Sequence, residues 1–163
     1  MTSTNPNRTA SASTPRPRRW AWVGLILALA LSSTPDARAA DGGLERRPSP
    51  PGANVYIISP SAGETVNSPV LIQFGLSGMG VAPAGIEKKG TGHHHLLIDT
   101  DLPENLSLPI AADAQHRHFG GGQTEATVEL SPGKHTLQLL LGDDRHVPLD
   151  PVVASEKIEI VVE

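Results

Sequence analysis

Beyond residue 53 the chain alternates. Val70, Ile72, Phe74 and Leu76 fall on one face of an extended segment, with Gln73, Gly75 and Ser77 on the other. That period of two predicts a half-buried strand over 70–77. The same reading predicts strands over 54–58, 93–99, 125–130, 134–141 and 156–162, with a short one at Thr65-Val66. His135, Leu137, Leu139 and Leu141 share a face of 134–141, and Ile158, Ile160 and Val162 a face of the last strand. Between them lie turn-formers: Ser59-Pro60, the glycine-rich stretch 78–92, the irregular stretch 100–123 with room for a short strand or helical turn, Ser131-Pro132-Gly133, and the polar loop 142–151. Nothing shows a sustained helical period or an internal repeat. Six or seven short strands with Gly/Pro turns predict an all-β, immunoglobulin-like Greek-key β-sandwich over 53–163. Its aromatics are only Tyr56, Phe74 and Phe119, so the core is aliphatic.

The front of the chain follows another logic. Arg16, Arg18 and Arg19 precede the apolar run Trp20–Leu31, and Ala37-Arg38-Ala39 follows a short polar stretch. This predicts a signal peptide over 1–39, cleaved after Ala39, hence a periplasmic or secreted protein. The apolar run is too short to span a bilayer comfortably, so no stable membrane span is expected after cleavage. Arg18-Arg19 leaves twin-arginine export open beside the general route. Residues 40–52, with Arg46, Arg47, Pro48, Pro50 and Pro51, read as a flexible linker.

Cleavage changes the charge. It removes five of the 13 bases and one of the 17 acids, leaving 8 − 16 = −8. A nucleic-acid partner is excluded by the lack of a basic face, and cations become the favoured small partners. There is no cysteine, which rules out disulfides, blue-copper ligation and iron–sulfur clusters.

All seven histidines lie in the domain. In a sandwich whose 93–99 and 134–141 strands run antiparallel, three segments deliver histidines to one end: His93, His94 and His95; His116 and His118; and His146. On a strand His93 and His95 point to one face, two imidazoles side by side as zinc or copper requires. His94 then joins Leu96 and Ile98 on the core face as a buried hydrogen-bonding residue. The predicted ligands are His93, His95, His116, His118 and His146. His94, Met79, Asp113, Asp143 and Asp144 form a supporting or alternative set. His93 or His95 is expected within about 8 Å of one of His116, His118 and His146, allowing for a site looser than metal–nitrogen distances near 2 Å demand. His135 is expected a strand length away, about 17 Å.

Each feature also has a plainer reading. Lone histidines are mostly solvated or hydrogen-bonded, Met79 is ordinary loop packing, Gly120-Gly121-Gly122 is a flexible turn, and Asp143 and Asp144 are solvated turn acids. Three function classes remain. One is a periplasmic module binding copper or zinc. Another is a non-metal interaction or adhesion module with a periplasmic protein partner. An enzyme is the third, but there is no nucleophile elbow, no His-Glu-x-x-His and no readable carboxylate pair.

The stretches 63–70, 74–85, Gly92-His93-His94-His95-Leu96-Leu97-Ile98-Asp99, 118–125 and 133–143 resemble a bacterial exported family of unknown function, DUF 4399, across Val55 to Val162. The resemblance implies a small periplasmic domain and brings no activity with it. It also implies a more histidine-rich last loop, of the form Gly-Asp-His-x-His-x-Pro-His. Here Asp144 and Leu149 stand at two of those places and only His146 remains, which either weakens the metal case at that loop or shifts the ligand there to Asp144. Ser59-Pro60-Ser61-Ala62-Gly63-Glu64 is more loosely similar to periplasmic copper-resistance sandwich domains.

Overall fold

The computed structural model describes residues 42–163. The expected signal peptide lies outside the described residues. Among the described residues nine strands form in order: β1 (Asn54–Ser59), β2 (Thr65–Val66), β3 (Val70–Ser77), β4 (Gly80–Val81), β5 (Thr91–Ile98), β6 (His116–His118), β7 (Glu125–Val128), β8 (Gly133–Gly142) and β9 (Ile158–Val162). They make two packed sheets, one ordered β1-β3-β7 and a six-stranded one ordered β2-β9-β8-β5-β4, with β6 also on β5. The described residues therefore form an all-β sandwich. The short β4 and β6 fall in stretches read as loop or irregular, which raises the strand count above six or seven. No helix among the described residues is long and apolar enough to cross a membrane.

The alternation seen in the sequence builds the interior. Val55, Val70, Ile72, Phe74 and Val128 come from one sheet, and Leu96, Ile98, Leu137, Leu139, Leu141, Ile160 and Val162 from the other. The Ser131-Pro132 turn carries the chain from β7 in one sheet to β8 in the other, so these two strands are not hairpin partners.

The outer face of the six-stranded sheet is also covered. Leu97, Ile110 and Leu140 make a second small core there, with Leu102, Val152 and Ala154 against it. β5 is consequently buried on both faces from Gly92 to Ile98. Its two edges are both paired. β8 lies along one, and β4 and β6 share the other, meeting β5 at Thr91-Gly92 and at His95–Leu97 respectively.

The linker expectation needs correction. Residues 44–50 are not free: Ser49 N–H donates to the Asp150 carbonyl at 2.9 Å, Asp150 N–H returns a bond to Arg47 at 2.9 Å, and Leu44 N–H donates to Ser107 at 2.7 Å. Arginine side chains, rather than apolar ones, attach the segment, and a composition-based reading of Pro and Arg as linker misses that.

Candidate metal centre

Register brings the histidines together. His93 and His95 point from β5 to the outer face, in line with Leu97. His95 pairs with His118 of β6 on one side and with Leu140 of β8 on the other, and His93 pairs with Gly142. The loop after β8 then folds back, with Gly142 bridging Pro148, and delivers His146 over the same spot.

Four rings meet there. His93 lies 4.8 Å from His95, 5.0 Å from His118 and 5.0 Å from His146, centroid to centroid. His118 lies 5.1 Å from His95 and 4.7 Å from His146, while His95 and His146 are 6.1 Å apart. His93, His95 and His118 each offer a nitrogen, all within 4.8 Å of one another. His93 and His95 are 0% exposed, whereas His118 is at the surface.

The buried nitrogens lack partners. Both nitrogens of His93 and both of His95 are buried without a hydrogen bond. Burial holds His93 down to about 4, helped by the neighbouring imidazoles of His146 and His118 and opposed by Asp143. The same cause takes His95 to about 2, and lowers His118. These rings stay neutral at physiological pH, with lone pairs available.

Two glycines make the space. A Cβ on Gly142 would sit 2.9 Å from His95 Cε1, and one on Gly120 would sit 2.3 Å from His118 Cε1 and 2.4 Å from its Nε2. Neither glycine was readable as part of a site. Gly142 looked like a loop start and Gly120 like a flexible turn.

His94 takes the core face, as its alternation with His93 and His95 predicts. Its ring lies 5.2 Å from Phe74, and Nδ1 donates to the Gln123 carbonyl at 3.1 Å. Its own carbonyl accepts Phe119 N–H at 3.1 Å. Both bonds fix the chain just after His118.

His116 does not join the cluster, which corrects its place among the predicted ligands. It pairs with Leu97, two residues beyond His118 along the ladder, and its Nδ1 bonds Asp113 Oδ1 at 3.0 Å. Asp113 is occupied there. Met79 packs against the main core. Asp143 is buried and spends its carboxylate on the loop itself: Oδ1 accepts Arg145 N–H at 2.8 Å and Val147 N–H at 2.9 Å, and Oδ2 accepts the Arg145 side chain at 2.8 Å. Burial raises its pKa, but these bonds outweigh that and hold it below the usual range. Asp144 pairs with Arg47 at 2.7 Å. Neither aspartate is a solvated turn acid. His135 lies toward the far end of β8, bonded to Asp99 at 2.7 Å and to the Ser131 carbonyl at 2.9 Å.

Fold and site together define a β-sandwich domain with a histidine cluster on the outer face of its larger sheet. Residues 72–163 match the family described as Domain of unknown function (DUF4399), and the chain belongs to that family. The resembling residues ahead of Ile72 lie outside the match. No curated protein and no solved structure matches the chain.

Proposed function

We propose that this domain is a periplasmic metal-binding module that takes one copper or zinc ion through His93, His95 and His118, with His146 closing the fourth side. The observation that carries this is the set of four buried, unpartnered ring nitrogens on His93 and His95. A buried polar group without a hydrogen bond costs about 1–3 kcal/mol, and two adjacent rings are left so. Each neutral ring offers one lone pair and one N–H, and a metal ion would take the lone pair of each, which no protein donor here does. The fit is close. Nitrogens on one tetrahedral ion lie about 3.3 Å apart given metal–nitrogen bonds near 2.0 Å, so groups already within 4.8 Å need only small shifts.

Imidazole suits both ions, and without thiolate the divalent series favours copper. The looser likeness of 59–64 to copper-resistance domains points the same way. The bound ion would supply positive charge and ligand exchange; this chain supplies neutral donors, a dry floor and an opening at His118. The test is metal content. Full-length protein exported and processed by its host, loaded with Cu(II) or Zn(II) and desalted, should retain close to one equivalent. Retention below about a tenth of an equivalent of either ion sinks the reading.

A second reading, an interaction module with a periplasmic partner, has its own observation. Tyr56, Ile58 and Leu71 are 44%, 55% and 48% exposed on the outer face of the three-stranded sheet. Alanine at His93 and His95 separates the two. The metal reading expects lost metal retention. The interaction reading expects lost thermal stability with metal retention unaffected.

A further inference from the structure

The loop that carries His146 is held from outside by residues ahead of the family match. Residues 44–50 run beside 144–151, with a parallel bridge between Pro48 and Asp150. Arg46 donates to the carbonyl of Pro148 at 3.1 Å and to that of Leu149, and lies 3.4 Å from the Asp150 carboxylate. Arg47 reaches further in. Its Nε lies 2.7 Å from Asp144 Oδ1 and 3.4 Å from Asp143 Oδ2, its Nη2 donates to Asp144 at 3.2 Å, and its Nη1 bonds Glu87 at 2.7 Å. Arg145 donates to the Glu45 carbonyl at 2.7 Å while it clasps Asp143 at 2.8 Å.

The loop needs this holding. His146 has φ +68°, a left-handed conformation that is strained for a side-chain-bearing residue and persists where its surroundings over-determine it. From inside, Asp143 accepts the Arg145 and Val147 amides, Ile110 N–H donates to the His146 carbonyl at 2.9 Å, and Gly85 N–H donates to the Asp144 carbonyl at 2.9 Å. The arginines of 44–50 close the outer side.

We infer that residues 44–50 are a strap that fixes the His146 loop, and that Arg47 is a positioning residue of the histidine centre, acting through Asp143 and Asp144. The affinity half of this rests on the metal reading above; the structural half does not. Partners in the second layer of a metal site change affinity about 10- to 100-fold, so Arg47→Met in the full chain should weaken Cu(II) or Zn(II) retention about tenfold in a chelator competition. Arg47→Met combined with His146→Ala should bind no more weakly than His146→Ala alone, because the strap has nothing left to position. Lys134→Met, which breaks an exposed pair with Glu159 far along β8, should change nothing. Additive losses, or unchanged affinity in Arg47→Met, overturn the positioning role. Hydrogen exchange on metal-free protein decides the structural half separately: the amides of His146 and Val147 should exchange faster in Arg47→Met. Unchanged exchange there overturns the strap even if wild type binds metal. Faster exchange upholds it even if wild type binds none.

Discussion

His95 and His118 are cross-strand partners, their rings 5.1 Å apart on the face of the β5–β6 ladder turned away from the sandwich interior. His95 is fixed by burial on both sides. His118 is exposed, and its ring rests against those of His93, His95 and His146 with the turn that follows it behind. A Cβ on Gly120 would come within 2.3 Å of its ring.

That contact gives the first expectation. In Gly120→Ala the yielding atom belongs to an exposed side chain, so the His118 ring swings out and the backbone stays. Metal affinity should fall about tenfold or more, while the thermal midpoint should move by only a few degrees, the effect of about 1 kcal/mol or less. Loss of fold together with affinity would show that Gly120 serves the sandwich and not His118.

His95→Leu should separate stability from function. Leucine fills a similar volume and removes two buried nitrogens that bond to nothing. Relief of one unsatisfied buried group is worth about 1–3 kcal/mol. The variant should therefore unfold at higher urea than wild type with chelator present, and retain no metal. A less stable variant would mean the His95 nitrogens have partners in solution, ordered water among them.

The sequence carried the alternation of β3 plainly, because one face of that strand meets the core and the other is largely exposed, whereas β8 is buried on both faces from Leu137 to Gly142, with Leu140 in the second core. β5 was harder. Its residues from Gly92 to Ile98 are buried on both faces, so alternation of burial is lost, and only Asp99 beyond its end suggested which way His93 and His95 point. His118 and His116 look equivalent as His-x-His. What separates them is a register, His118 on His95 and His116 on Leu97, and register depends on a partner strand some twenty residues away that no local pattern encodes. Arg47 was unreadable for the same reason: its partner Asp144 is 97 residues off. The convergence of His93, His95, His118 and His146 was accessible because it needs only strand directions, and β5 and β8 do run antiparallel.

His146 should show the cost of its conformation. At φ +68°, His146→Gly relieves strain worth about 1–3 kcal/mol against a chain-entropy loss of about 0.5–1 kcal/mol. Stability of the metal-free protein should rise by about 1 kcal/mol. His118→Gly, in a strand, has no such strain to relieve and should lose stability by a similar amount. Both should lose metal affinity. A destabilised His146→Gly would place the favourable energy of this loop in the imidazole packing and not in its strained turn.

The pH profile of the metal-free protein should bend in two places, with opposite signs. Desolvation, with the neighbouring imidazoles adding to it, depresses His93 to about 4 and His95 to about 2. A depressed group contributes stability that is present above its unfolded value, near 6.5, and is lost as pH falls toward the folded one. Each ring held neutral costs about 1.4 kcal/mol per unit below that value. Two rings at two units below cost about 5 kcal/mol, comparable to the stability of a whole domain. His135 behaves inversely. Its Nδ1 faces the Asp99 carboxylate at 2.7 Å and its Nε2 the Ser131 carbonyl at 2.9 Å. Two acceptors call for two N–H donors, hence an imidazolium. Burial alone would lower its pKa, but the bonds to Asp99 and Ser131 outweigh it and raise it. This contribution is complete below about 6.5 and disappears as pH rises through the raised folded value. Urea midpoints from pH 4 to 9 should therefore fall steeply on the acid side and gently on the alkaline side. His95→Leu should flatten the acid limb alone, and His135→Gln the alkaline limb alone. An acid limb unchanged in His95→Leu would assign acid lability to the carboxylates and remove the buried imidazoles from the explanation.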